Sequence, residues 1–227
     1  MASHDLRNPV GIIINYTDFL MEDLAAVLSP EHLKFLRNIR SSAYDMKQMI
    51  NDFLDVSIIE SGHLVLNYSQ TTPELLIDEA IQKVILAADR RRISFQTEID
   101  TSLTNVWIDM RKIDQVLQNL IKNAIEYSPD GGTITVSAAH QNHGIEFRIQ
   151  DQGKGISKEK QEALFREFSG TSRRKKDGER SIGLGLVISR RIVEAHGGRM
   201  VVESEPDNRS AFGFVLPDSC LGPPSPD

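Results

Sequence analysis

The sequence predicts an α+β protein, an N-terminal antiparallel helical hairpin followed by a two-layer α/β sandwich. Three observations carry this reading. Two apolar patterns of helical period fill the chain up to Gly62. Beyond Gly62 the texture changes to short segments of strand and helix character. Those segments mix without the regular strand–helix alternation of a doubly wound parallel sheet.

In the first pattern Leu6, Val10, Ile13, Thr17, Leu20, Leu24 and Val27 alternate spacings of four and three, a heptad-like seam. Ser29-Pro30 breaks it and suits the start of a second helix, with proline at the first helical position. There Leu33, Leu36, Ile39, Ala43, Met46, Ile50 and Phe53 repeat the spacing, and Gly62 is a plausible stop. Two long helices with a short connection form a hairpin. Alone, such a hairpin exposes much of its seam. Pairing with a second copy into a four-helix bundle would cover it, so a homodimer is expected through residues 1–62.

After Gly62 the expected order runs as follows. Leu64, Leu66 and Tyr68 alternate, which predicts a strand over 63–68. A helix follows over 73–88 with Thr72 as N-cap. Strands are expected at 93–99 and 105–109, then a helix over 111–127. Gly131-Gly132 turns into a strand at 133–139, and a turn over 141–144 leads to another at 145–151. A basic, loop-rich stretch covers 157–182. A helix follows over 183–196, then strands at 199–205 and 211–216, and the Pro-rich end is expected to be disordered.

Composition bounds the function. The net charge of −6 disfavours a nucleic-acid role, because binders of a phosphate backbone carry excess positive charge. The single Cys220 cannot form an internal disulfide, and no metal or catalytic role is expected of it; a reducing, cytoplasmic setting fits. No run approaches the roughly 20 apolar residues of a membrane span, so no membrane contact is expected from this segment. Met1-Ala2-Ser3 reads as a start scar rather than a signal peptide, and any membrane sensor of the native protein is expected to lie outside this piece.

Four motifs could carry chemistry. Ser3-His4-Asp5-Leu6-Arg7-Asn8-Pro9 opens the first helix. At about 100° per residue, His4 falls nearly opposite the apolar seam and faces solvent. Asp5 could orient the ring or take its proton, leaving the other nitrogen as nucleophile. Asn8 lies one turn along the same face. Pro9 lacks the N–H that would bond the Asp5 carbonyl, so a bend is expected there. An ordinary surface histidine at a helix start fits the same heptapeptide. Asn119 and Asn123 are four apart on one helix face, and an amide oxygen suits a Mg²⁺ that keeps its waters and binds phosphate oxygens; two surface asparagines would look the same. Asp151-Gln152-Gly153-Lys154-Gly155 follows a strand, where a carboxylate and two glycines could approach a flat base, or simply form a β-turn. Gly183-Leu184-Gly185-Leu186 opens a helix, where backbone N–H groups could face phosphate oxygens, or give only a flexible entry. Between these last two lie Leu164-Phe165-Arg166-Glu167-Phe168 and the run Arg173-Arg174-Lys175-Lys176, which together would suit a lid over a phosphate site or a solvated basic loop.

Taken in order and spacing, these motifs resemble the H, N, G1, F and G2 boxes of the sensor histidine kinases. The resemblance spans Ser3 to Leu216. It implies a dimerisation and histidine-phosphotransfer hairpin over 1–66, a Bergerat-type (GHKL) ATP-binding sandwich over 67–218 and a tail over 219–227. It further implies that ATP with Mg²⁺ phosphorylates His4, and that the phosphoryl group passes to an aspartate on the receiver domain of a response regulator. Asp5 resembles the acidic neighbour that assists proton transfer, and Asn8 the residue that orients water when the kinase dephosphorylates its partner. Asn123 resembles the Mg²⁺ ligand, Asn119 its companion near the reacting phosphate, and Tyr127 a residue that packs by the nucleotide. Asp151 resembles the adenine reader, Gly153 and Gly155 shape its pocket, and Gly183 and Gly185 face the phosphates.

Two departures support a competing reading as a catalytically weak scaffold that binds a receiver or a partner kinase. Glu126 stands where many relatives carry lysine. Only Met1-Ala2-Ser3 precede His4, where the family's first helix extends several turns further, so a shortened helix is expected. A gyrase-like or chaperone-like ATPase fits less well, because those lack a histidine box on a hairpin and place a glutamate where Asn119 stands.

Overall fold

The computed structural model describes residues 2–24, 27–60, 64–103, 105–141, 144–163, 184–204 and 209–223. Two compact units emerge, one holding Met1–His63 and the other Leu64–Ser169 with Gly185–Asp227.

The first unit is the expected hairpin. Helices α1 (Ala2–Asp23) and α2 (Pro30–Glu60) flank a short connection. Ser29 starts α2 as its sequence suggests: its Oγ accepts from the His32 N–H at 3.2 Å, with Pro30 first in the helix. Pro9 lies inside α1. The interior is a narrow stripe of Val10, Ile14 and Thr17 against Ala43, with Ile50 packed beside it. Thr17 can be buried because its hydroxyl donates to the Ile13 carbonyl at 2.6 Å. The expected seam therefore splits. Ile13, Leu20, Leu24, Ile39, Met46 and Phe53 are exposed, Phe53 at 61%, while Ile14 takes the inner position. Two helices can bury only one stripe between them, so the other apolar positions form a second face.

The second unit opens with β1 (Ser69–Thr71), α3 (Pro73–Gln82), α4 (Ile85–Arg90), β2 (Ser94–Ile99), β3 (Val106–Ile108) and α5 (Met110–Tyr127). It continues with β4 (Thr133–Gln141), β5 (Gly144–Asp151), α6 (Lys158–Ala163), α7 (Gly185–Ala195), β6 (Arg199–Ser204) and β7 (Ser210–Pro217). A five-stranded sheet runs β2-β4-β5-β7-β6, in which β2 and β4 pair in parallel and the other neighbours pair antiparallel. β1 and β3 make a separate antiparallel ribbon. Alternation along the strands sends Ile134, Val136 and Ala138 of β4 and Ile145, Phe147 and Ile149 of β5 into the core. Phe147 and Phe214 stack there with ring centroids 5.0 Å apart. α5 buries Ile113, Val116, Leu117, Leu120 and Ile121, and α3 and α7 pack beside it.

Three expectations change. Residues 64–68 form no strand; pairing begins at Ser69, because β3 offers only three residues and registers them with Ser69–Thr71. The helix expected over 73–88 is two helices, broken at Lys83 and Val84. The tail expected from 219 starts instead as a 3-10 turn, Asp218–Leu221, that buries Cys220 and so lifts its thiol to about 11. Thr72 caps α3 as expected, accepting from the Leu75 N–H at 3.2 Å. The segment with Phe165, Phe168 and the basic run lies outside the described residues.

α4 ends in an uncommon way. The Ile93 N–H donates to the Ala88 carbonyl at 3.0 Å and the Arg92 N–H to that of Asp89 at 2.9 Å, the paired bonds of a Schellman close. The residue that must turn left-handed is Arg92, at φ 55°, where glycine is usual. Relief of roughly 1–2 kcal/mol of steric cost, less roughly 0.5–1 kcal/mol of glycine entropy, should leave Arg92→Gly more stable by about 0.5–1 kcal/mol. Urea unfolding measures this; Arg92→Ala, which keeps a Cβ, should show no gain.

Candidate functional site

Asp109 fixes where α5 begins. One carboxylate oxygen accepts from the Lys112 N–H at 3.1 Å, an N-cap, and the other from the Asn67 N–H at 2.9 Å. Its own N–H donates to His196 Nε2 at 3.1 Å, while His196 Nδ1 donates to the Ile192 carbonyl at 2.8 Å. His196 is thus a neutral imidazole, and burial pushes its pKa below the ordinary histidine value. Its ring also meets the Tyr68 ring edge-on at 5.6 Å.

Further along α5, Asn119 and Asn123 share the expected face, and both are half-buried. The Asn119 amide donates to the Gly185 carbonyl at 3.1 Å and to Ser189 Oγ at 3.3 Å, so it holds the first turn of α7. A Cβ at Gly185 would come within 3.4 Å of that amide. The Asn123 side chain has no hydrogen-bond partner among the described residues and is open to a ligand. Tyr127 ends α5 with 60% of its surface exposed.

Asp151 ends β5 opposite Ser210 of β7 and is 2% exposed. Its Oδ1 accepts from the Gly153 N–H at 2.7 Å; its other oxygen has no partner among the described residues. Burial pushes the carboxyl pKa up, and the Gly153 bond pulls it partly back. Gly153 is forced by close approach: a Cβ there would lie 2.5 Å from Asp151 Oδ1 and 2.9 Å from the Tyr127 carbonyl oxygen. Gly155 sits at φ 66°, a left-handed turn.

The second half of α5, the end of β5 and the start of α7 therefore converge, bringing together Asn119, Tyr127, Asp151, Gly153 and Gly185. Gly183 lies outside the described residues. His4, Asp5 and Asn8 stand on α1 in the other unit; Asn8 is exposed, and the side chains of His4 and Asp5 are outside the described set. Sequence reasoning passed over the polar relay behind the turn. The Ile156 N–H donates to Ser204 Oγ at 2.8 Å, Ser204 Oγ to Ser210 Oγ at 3.1 Å, and Gln161 Nε2 to the carbonyls of Ile156 and Ser204 at 2.8 and 2.7 Å. Isolated Ser and Gln residues carry no spacing signal. Chemically, a buried carboxylate with one uncommitted oxygen beside a glycine floor can accept from the amino group of a flat ring, and the floor leaves room for that ring.

Because the folded-state pKa of Asp151 is raised, the native protein binds this proton more tightly than the unfolded chain. The carboxylate then costs stability once the pH rises above the unfolded value of about 3.8 and through the folded one. Asp151→Asn should remove that cost. Urea unfolding between pH 4 and 7 should show the variant gaining on the parent as pH rises; a gain that stayed flat with pH would rule out the buried charge as its source.

Comparison with known proteins fits this geometry. Residues 1–62 match the His Kinase A (phospho-acceptor) domain, and residues 108–219 match the histidine kinase-, DNA gyrase B- and HSP90-like ATPase. The cell-division control histidine kinase PdhS of Brucella abortus is 29% identical over 95% of this chain. The chain spans 22% of that protein's length, about a fifth of the curated relatives it matches. Among solved structures, full-length ShkA in complex with AMPPNP superposes with a TM-score of 0.78 at 22% identity, over 95% of this chain and 44% of that one; at that identity the likeness speaks for fold. The catalytic domain of histidine kinase ThkA gives a TM-score of 0.58 at 28% identity, over 66% of this chain and 95% of that one. With a phospho-acceptor hairpin and an ATPase sandwich matched in succession along one chain, this protein belongs to the sensor histidine kinase family.

Proposed function

We propose that the chain is the catalytic core of an ATP-dependent protein-histidine kinase in a two-component system. The observation that carries this is the buried Asp151 carboxylate, half-satisfied by Gly153 and floored by a glycine that no side chain could replace. Asp151 accepts from the adenine amino group, Gly153 and Gly155 leave room for the ring, and Tyr127 packs by the nucleotide. Asn123 offers its amide oxygen to Mg²⁺, whose charge would steady the phosphates. Among the described residues no group of three or more His, Cys, Asp or Glu gathers to hold a metal. One amide with phosphate oxygens and water is a suitable set for this hard ion. Asn119 sits beside the reacting phosphate while holding the start of α7, and Gly183 and Gly185 would offer backbone N–H groups to the phosphates.

His4 attacks the γ-phosphorus. A nitrogen–phosphorus bond forms, the bond to the bridging oxygen breaks with its electron pair leaving on ADP, and Asp5 takes the ring proton. The phosphoryl group then passes to an aspartate of a receiver domain. The second apolar face of the hairpin, including Ile13, Leu20, Ile39, Met46 and Phe53, is covered by a second copy in a four-helix bundle. We place the hairpin domain at 1–66 and the ATP-binding domain at 67–218 of a protein working in the cytoplasm. None of the described helices is long and apolar enough to cross a membrane.

Incubation with Mg-ATP should place acid-labile phosphate on the chain. His4→Ala should abolish the label and keep ATP binding. Label persisting on the alanine variant would remove His4 from the reaction; ATP binding without label on the parent would favour the scaffold reading. Asn123→Ala should weaken Mg-ATP by about 1–3 kcal/mol in calorimetry, the scale of a lost contact to a charged group.

Asn8, exposed on α1, serves an opposing reaction, holding a water that attacks the receiver's phospho-aspartate and releases inorganic phosphate. Asn8→Ala should slow decay of a phosphorylated receiver in the presence of ADP and Mg²⁺ while autophosphorylation stays largely intact. Decay at the parent's rate would make Asn8 an ordinary surface residue.

A further inference from the structure

The last turn of a helix presents carbonyls without helical donors, at the negative end of its dipole. In α5 this turn also carries Tyr127 and lies one turn beyond Asn123. After Ser128, whose N–H returns to the Ala124 carbonyl, the carbonyls of Ile125, Glu126, Tyr127 and Ser128 need partners. The partner for most of them comes from a distant point of the sequence. Arg91, in the turn between α4 and β2, sends its guanidinium across this end. Its Nη1 donates to the carbonyls of Ile125 and Glu126, the latter at 2.9 Å, and its Nη2 to that of Ser128 at 2.8 Å. Its Nε donates to Asp130 at 2.9 Å, and its own carbonyl accepts from the Gly131 N–H, also at 2.9 Å.

The Tyr127 carbonyl is left out of this grip. It is the one that faces Gly153, 2.9 Å from where a Cβ would stand, and that same Cβ would be 2.5 Å from Asp151 Oδ1. Arg91, the end of α5, Gly153 and Asp151 are therefore in continuous contact. The guanidinium fixes the carbonyls on either side of Tyr127, and so fixes how far the Tyr127 carbonyl stands from the floor of the Asp151 turn. Arginine is suited to this because its planar fork serves several acceptors at once, which a lysine ammonium on a flexible stem does not.

We infer that Arg91 is a positioning residue of the nucleotide site: by gripping the end of α5 it sets how closely the Tyr127 carbonyl and the Asp151 turn stand against Gly153, the floor on which the base lies. This rests on the reading of Asp151 as a base reader. The grip on the carbonyls sets this spacing. The ion pair with Asp130 is a minor part of it, because Asp130 is more than half exposed and such pairs contribute little.

The test uses the full chain and compares Mg-AMPPNP with Mg-GMPPNP by calorimetry, beside thermal melts without nucleotide. Arg91→Lys and Arg91→Met should weaken AMPPNP, the methionine variant by about tenfold and lysine by less, the scale of one lost charged hydrogen bond. Both should narrow the preference for adenine over guanine, which loss of stability alone would not do. Asp130→Ala should stay within about twofold of the parent. If Arg91→Met does not fold, Arg91→Lys decides. Folded variants with the parent's affinity and base preference would overturn the inference and reduce Arg91 to a helix cap. Asp130→Ala as damaging as Arg91→Lys would also overturn it, in favour of the ion pair. A parent that binds neither analogue would instead sink the nucleotide reading itself, and this inference with it.

Discussion

The position of Asp109 between β3 and α5 constrains most of the second unit. Its carboxylate takes two backbone N–H groups, one from the chain arriving from the hairpin and one from the first turn of α5, and its own N–H goes to a buried neutral histidine at the far end of α7. Asn119 makes the complementary tie, from the middle of α5 to the start of α7. The two helices are thus antiparallel, and α7 is pinned at both ends. α7 cannot slide along α5 without breaking a hydrogen bond to a buried group, an expensive loss at His196 in particular. This arrangement delivers Gly185 beside Asn119.

The other half of the site combines close approach with short hydrogen bonds. Gly153 is squeezed between the Asp151 carboxylate and the Tyr127 carbonyl. The carboxylate is held out of water, at a cost reflected in its raised pKa. A group kept in that condition is ready for a donor that replaces the missing water. The polar relay from Ser210 through Ser204 to Ile156 and Gln161 steadies the backbone just past the glycines. These hydrogen bonds hold the turn that carries the carboxylate in one conformation.

Much of this was legible in the sequence, for identifiable reasons. Ser29-Pro30 and Thr72 start their helices because capping is a local matter. Asn119 and Asn123 share a face because helical spacing is fixed. What was misread depended on partners. Leu64 and Leu66 are half-buried and Val65 is 76% exposed, so the alternation was real, but among the described residues no strand pairs with them. The break between α3 and α4 has neither glycine nor proline to mark it, and the apolar period runs through it to Val84 and Ala88. In the hairpin, periodicity located the apolar positions without saying which of two stripes the single chain buries. Arg91, Gln161 and His196 act through residues far away in the chain, and a lone polar residue gives no pattern from which to infer such a bond.

The sheet's one parallel pairing has a consequence for the order in which the unit assembles. β4 with β5, and β6 with β7, are antiparallel neighbours joined by short connections, and such hairpins form from local contacts. β2 instead meets β4 in parallel, with β3 and the whole of α5 between them in the chain. That edge must wait until α5 has docked, because the closure entropy comes before the strand pairing that offsets it. β2 is therefore expected to join late in folding and to leave early in unfolding. The turn just before it contains Arg91, so the same late step brings the guanidinium to the end of α5. A partly folded chain then holds its hydrophobic core while the end of α5 still lacks its guanidinium.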